Sequence, residues 1–188
     1  MVLHPLKSSL FLVAIALILS TVGWFGMGQA PAPTPPQSVT LCQLAQAPVA
    51  YNHALVKISG TASQGFEDFT LHDANCQPPI ADHFSVWLTY GGTMRSGTTY
   101  CCPGEGEKGE RRQALEVEGI TVPLVNDAQL HRFMALLRRK PHTARATLIG
   151  VFFAGDRQPQ SGKPGLPGYG HLGCCSLLVI QQVESVAQ

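Results

Sequence analysis

The apolar positions divide the chain into one continuous run near its start and, beyond residue 40, short segments in which apolar and polar residues alternate. Residues 10–19 are continuously apolar, and the run continues through Val22, Trp24, Phe25 and Met27. As a helix, residues 10–28 rise about 28 Å, close to the hydrocarbon thickness of a bilayer. Farther on, residues 54–62 (ALVKISGTA) alternate and are β-prone, which predicts a first strand. Ser63-Gln64-Gly65 reads as a hairpin turn, and residues 66–72 as a second strand with Phe66, Phe69 and Leu71 as its apolar points. Residues 84–90 (FSVWLTY) predict a third strand, with Phe84, Val86 and Leu88 on the core face and Trp87 on the other. Residues 114–124 suggest a minor strand pair across Gly119, and residues 143–153 and 174–183 predict strands four and five.

The helical signals are fewer. Thr40-Leu41-Cys42-Gln43 has capping-box spacing and predicts a short turn of helix ending before Pro48. Leu130, Phe133, Met134 and Leu137 fall at i, i+3, i+4 and i+7, one apolar face of a helix capped by Asn126 or Asp127 and stopped by Pro141. Arg138, Arg139 and Lys140 are expected in its last turn, where positive charge complements the helix dipole. That placement explains the only basic cluster without a binding role. Two irregular stretches, residues 91–112 and 154–173, are rich in glycine and read as long loops, the first of them protruding.

Charge sharpens the picture of the start of the chain. No charged residue lies between Lys7 and Lys57. His4 and Lys7 before the apolar run suit a cytoplasmic N-terminus. Residues 1–30 therefore predict a signal peptide or an uncleaved signal-anchor helix, residues 31–39 a proline-rich linker (PAPTPPQ at its start), and residues 40–188 one β-rich domain. The anchor is the preferred reading, because a cut after Gly28-Gln29-Ala30 would place Pro31 in the protease's extended substrate site. Either way the domain is expected outside the cytoplasm, facing the periplasm or cell exterior. Of the 13 Lys and Arg, Lys7 alone precedes the domain, which leaves 12 against 12 Asp and Glu. A neutral domain argues against nucleic acid as a partner, since that affinity depends on cations displacing counterions.

The order strand, strand, strand, helix, strand, strand resembles the OB fold, a mainly β, five-stranded Greek-key barrel. Glycines inside strands one and four, Gly60 and Gly150, suit the sharp coiling of a small barrel. The segments ALVKISG, LHDANC, FFAG and GYGHLGCCSLLVIQQV also resemble a group of uncharacterised exported bacterial proteins. That resemblance implies a compact barrel outside the cytoplasm and implies no activity.

Six cysteines in an exported chain point to disulfides, with fifteen possible full pairings among Cys42, Cys76, Cys101, Cys102, Cys174 and Cys175. Cys42 with Cys76 is one plausible bridge; another would tie the Cys101-Cys102 loop to strand five. The alternative is a zinc or copper(I) site, in which His171, Cys174, Cys175, Cys101, Cys102 and His83 would supply nitrogen and sulfur ligands. Tyr169 and His171 lie in a glycine-rich loop that would rim the ligand face of such a barrel, and Trp87 is either a surface aromatic beside it or packed beneath a loop. The adjacent pairs His72-Asp73 and Asp82-His83 read as loop-edge polar groups. GxSxG, HExxH, phosphate-loop and CxxCH patterns do not occur in the sequence. The reading that follows is a non-catalytic binding or scaffold module without cofactor, the alternative being a metal- or thiol-dependent envelope protein that uses this Cys/His cluster. It engages the membrane through its N-terminal helix and binds an envelope protein, glycan or small ligand.

Overall fold

A computed structural model of the chain describes residues 34–76, 85–98, 110–155, 168–170, 173 and 175–187. All of these except Thr34 belong to one compact unit, Pro35–Gln188. Its elements are β1 (Gln37–Val39), α1 (Leu41–Gln46), a 3₁₀ turn (Pro48–Tyr51), β2 (Leu55–Gln64), β3 (Phe69–His72), β4 (Val86–Tyr90), β5 (Glu116–Val117), β6 (Ile120–Thr121), α2 (Ala128–Leu137), β7 (Thr143–Phe153) and β8 (Ser176–Ala187).

Five of these strands close into a barrel. β2 pairs antiparallel with β3, and β3 antiparallel with β4. β4 runs parallel to β8, β8 antiparallel to β7, and β7 returns to β2 along residues 143–151. Closure satisfies the N–H and C=O groups that an open sheet edge would leave bare. The barrel coils hardest where β7 meets β8, with register shifts between Thr147 and Leu148 and between Ile149 and Gly150. Glycine is required there: a Cβ on Gly150 would stand 2.3 Å from the carbonyl oxygen of Val179.

Alternation along the strands sends one set of side chains inward. Val56, Ile58, Leu71, Val86, Leu88, Leu148, Leu178 and Ile180 fill the interior, and α2 adds Leu130, Phe133 and Leu137. Met134 is only half-buried at the edge of this core. Tyr90 is also inside, and its burial pushes the phenol well above the usual tyrosine range, against a smaller opposite pull from Arg138. The outward set is not all solvated. Trp87, Val122, Phe153, Leu177 and Val179 form a second apolar cluster on the outer wall. The β5–β6 hairpin covers it with Leu115 and Val117. β4 is consequently buried along its whole length on both faces.

Several expectations are met in detail. Gln43 N–H donates to Thr40 Oγ1 (3.2 Å) and Thr40 N–H to Gln43 Oε1 (2.8 Å), the reciprocal capping box that opens α1. Asp127 caps α2 by accepting from Leu130 N–H at 2.9 Å. Others need correction. Residues 37–39, assigned to the linker, form β1 and lie parallel to β2 beside Val56, Lys57 and Ile58. Ser63 and Gln64 are not a turn; they continue β2, paired with Thr70 and Phe69. The hairpin turn falls at residues 65–68, closed by Gly65 N–H donating to the Asp68 carbonyl at 2.8 Å. Phe66 is therefore no core point of a strand but 78% exposed at the turn. Arg138, Arg139 and Lys140 follow the last residue of α2 rather than forming its last turn, because the helix closes on Arg138 N–H donating to Met134 O. The loop after β4 folds back at its described ends, where Met94 bridges Glu110 and Ser96 and Thr98 are buried. Among the described residues no helix is long and apolar enough to cross a membrane; the apolar leader lies outside them.

The expected bridge between Cys42 and Cys76 is present, with Cα atoms 5.2 Å apart, inside the ordinary cystine range. It joins α1 to the chain just after β3 across a separation of 34 residues. Closing a loop of that length is worth about 4 kcal/mol in unfolded-chain entropy. Replacing both cysteines by serine should therefore lower the melting temperature by roughly 10 °C. Thermal unfolding followed by circular dichroism checks this, and adding reductant should lower the parent's melting temperature by more than the double variant's, which has one bridge fewer to lose.

Candidate functional site

The start of β2, the end of β7 and the start of β8 lie at the same end of the barrel, as their antiparallel registers require. Three segments distant in sequence meet there: the turn before β2 with Asn52 and His53, the tip of the β5–β6 hairpin with Glu118, and residues 168–170 before β8.

Glu118 is the hub. Its Oε2 lies 2.5 Å from His53 Nε2, and its Oε1 accepts a hydrogen bond from the Tyr169 hydroxyl. Asn52 is oriented by its Oδ1 accepting from Ala154 N–H at 2.8 Å, which turns its Nδ2 towards the same imidazole nitrogen at 3.3 Å. Facing a carboxylate so closely, Nε2 carries its proton and donates to Glu118. The backbone fixes the imidazole further, since His53 N–H donates to Phe152 O at 2.7 Å. Edge-on ring contacts run from His53 to Phe153 (5.5 Å) and from Phe153 to Tyr169 (6.2 Å).

Both members of the ion pair sit on left-handed backbone, His53 at φ 64° and Glu118 at φ 49°. Glu118 and Gly119 (φ 79°) are the two central residues of the hairpin turn, the type I′ pattern in which asparagine usually leads. Such conformations cost about 1 kcal/mol or more in a non-glycine residue and persist where neighbours hold them. The Tyr169 hydrogen bond is the largest influence on the Glu118 carboxyl and lowers its pKa; partial burial opposes it, and the His53 hydrogen bond and charge reinforce it. The pair is nonetheless open to water, with side-chain exposures of 42% and 41%.

Beneath this rim lies Trp87. It is 2% exposed, so the packed alternative holds and it is not a surface aromatic. Tyr169 is strapped to Cys175 by two backbone hydrogen bonds, 2.8 and 3.1 Å, and this lays the next residue, Gly170, flat on the indole. A Cβ at Gly170 (φ 75°) would stand 2.2 Å from a Trp87 ring carbon. Trp87 Nε1 is buried there and has no hydrogen-bond partner among the described residues.

Of the residues singled out from the sequence, Tyr169 thus belongs to the rim and Trp87 supports it. His171, Cys174, Cys101, Cys102 and His83 lie outside the described residues. Cys175 is buried in the outer apolar cluster and is disulfide-bonded, to a partner outside the described residues. As a cystine sulfur it offers no thiolate to a metal. Among the described residues no group of three or more His, Cys, Asp or Glu side chains is placed to hold a metal ion. His53, Glu118 and Asn52 were not legible as a site. Their one sequence signal is local: Asn52-His53 and Glu118-Gly119 are turn dipeptides, and nothing in their spacing brings them together.

A separate concavity of about 430 Å³ opens beside the exit of β4, lined by Thr93, Met94, Glu110, Thr121, Leu124 and Asn126 among others. Its wall is held by Arg111, whose Nη1 donates to the carbonyls of Tyr90 (3.2 Å), Gly92 (3.2 Å) and Met94 (2.5 Å), and whose Nη2 donates to Thr89 Oγ1 (3.3 Å). That guanidinium serves the backbone and is not presented to a ligand.

Set against family models, curated proteins and solved structures, the chain matches none of them.

Two outcomes test the rim. A carboxyl whose pKa is depressed by folding adds stability that is complete above its unfolded range, about 4.3, and is lost as pH falls through the lower folded value. Amide-exchange protection factors at Gly119 and Ile120 should therefore drop in acid below that range, whereas Glu118→Gln should show the reduced protection already at neutral pH and little further change. Gly170→Ala should destabilise the domain by about 2 kcal/mol and expose the indole. In a Trp24→Phe background the Trp87 emission should shift to the red; unchanged emission would contradict the seating of Gly170 on the ring.

Proposed function

We propose that this chain is an exported, membrane-tethered envelope protein whose OB-like barrel binds a partner without catalysing a reaction. The observation that carries the export reading is the Cys42–Cys76 disulfide, which forms and persists in oxidising compartments. The apolar, uncharged residues 8–30 supply the means of delivery and of attachment to the membrane, facing the periplasm or the cell exterior. The exported bacterial proteins that the sequence resembles point the same way.

The OB-like reading rests on strand order. Numbering the barrel strands one to five along the chain (β2, β3, β4, β7, β8), the order around the barrel is one, two, three, five, four and back to one, with three and five parallel and α2 between three and four. Barrels of this kind bind with the face of strands two and three and the loops at their rim. Here Trp87, on strand three, is roofed by the chain's own hairpin and by Gly170. Binding therefore falls to the rim, where His53, Glu118 and Tyr169 are held in fixed, half-exposed positions, with Val49 exposed four residues before His53. A neutral domain suits an envelope protein, a glycan or a small ligand better than nucleic acid.

The export half is tested by fusing reporters to the C-terminus of the full chain. Alkaline phosphatase should be active and green fluorescent protein dark, and bright cytoplasmic fluorescence would refute it. For the binding half, a photo-crosslinking residue at position 49 should give a discrete adduct in cells, weakened several-fold by Glu118→Ala. The absence of any adduct would remove the rim as the binding face while leaving the export result intact.

A further inference from the structure

The outer wall of β2 carries a ladder of polar side chains, Lys57, Ser59, Thr61 and Ser63, on every second residue. Cross-strand neighbours satisfy most of its rungs. Lys57 Nζ donates to Glu184 at 2.7 Å, Ser59 Oγ and Thr147 Oγ1 are 2.8 Å apart, and Ser63 Oγ and Thr70 Oγ1 are 3.2 Å apart. The rung at Thr61 differs. Its register partners are His72 on β3 and Arg145 on β7, so an imidazole, a hydroxyl and a guanidinium stand in one row across three strands. Directly opposed residues share a face of the sheet, with Cβ atoms about 5 Å apart. Among the described residues none of these three side chains has a hydrogen-bond or ion-pair partner.

This row lines a cleft of about 190 Å³, together with Ser59, Asp73 and Asn75. A turn completes the lining: Asp73 Oδ1 accepts from both the backbone N–H (3.0 Å) and the side-chain Nδ2 (3.1 Å) of Asn75. The turn is anchored next door by Cys76 in its disulfide. The row therefore offers three unpaired donors and the turn a carboxylate. We infer that the Thr61 row is a binding site for an oxyanion carried on a hydroxylated body, such as a sugar acid or a sugar phosphate. Arg145 and His72 hold the anionic group, Thr61 donates between them, and Asp73 accepts from a neighbouring ligand hydroxyl while disfavouring a bare anion. The site is distinct from the rim. Thr61 lies six residues along β2 from Leu55, about 20 Å at the rise of an extended strand.

The test uses the full chain in nonionic detergent and three probes at matched ionic strength: glucuronate, glucose 6-phosphate and glucose. Saturating amide chemical-shift changes centred on Thr61, His72 and Arg145 with glucuronate or glucose 6-phosphate, and none with glucose, support the site. The stronger of the two charged sugars tells carboxylate from phosphate. Arg145→Gln, at an exposed position that leaves the core untouched, should weaken the apparent affinity about tenfold or more. Lys57→Gln, which removes a positive charge from the same face two rungs away, where Lys57 is already paired with Glu184, should leave it within about twofold. Equal shifts with glucose, no saturable shifts at all, or equal losses in Arg145→Gln and Lys57→Gln would overturn the proposal.

Discussion

Everything described in the domain depends on β2 being paired along both edges. On one side it runs antiparallel to β7 over residues 55–63; on the other it meets β1 first and β3 afterwards. A strand so placed leaves no bare edge, and it turns a sheet with an open side into a closed barrel. Closure demands strong coiling, and strong coiling demands that backbones approach. Gly150 is where that demand is sharpest, lying between Val56 of β2 and Ile180 of β8 with no room for a side chain. The disulfide between Cys42 and Cys76, packed on the inner core, ties the helix that follows β1 to the chain just after β3.

Closure also separates the domain into two apolar compartments. The inner one is a conventional core filled from five strands and α2. The outer one exists because β4 and β8 are apolar on both faces, and an apolar outer face must be covered. The β5–β6 hairpin does so with little ordered structure of its own, two residues in each strand. Its tip is then held down by Glu118 against His53 and Tyr169. The rim is thus a by-product of covering Trp87, and its polar groups are in place before any partner arrives. Such prior placement lowers the ordering cost of binding.

The two candidate surfaces differ in kind. At the rim the charged groups are already matched to one another, so a partner would read shape and the exposed edges of His53 and Tyr169. At the Thr61 row the donors are unmatched, so a ligand would complete a hydrogen-bond set that the fold leaves open.

Local chemistry was enough to place the elements whose signals repeat within a few residues. The apolar stripe of α2, the capping box at Thr40, the strand at 143–153 and the inward face of Val86 and Leu88 all follow from periodicity or from a cap within one turn. The bridge between Cys42 and Cys76 was legible only as one option among many, because sequence states which residues can bond and not which are near. β1 has no sequence signal of its own, because three residues after a proline-rich stretch carry no period; its strand character comes from the neighbour it pairs with. Phe66 is exposed although apolar, because an apolar residue in a β-prone run is core only if the register carries it inward, and β2 runs two residues beyond the end of its alternating segment at Ala62. His53, Glu118 and Tyr169 belong to segments separated by tens of residues, and Arg145 is likewise distant in sequence from the hairpin pair of Thr61 and His72. Amino-acid type made each of them capable of a hydrogen bond or a charge; barrel closure and strand register, which are long-range pairings, set which of them would meet.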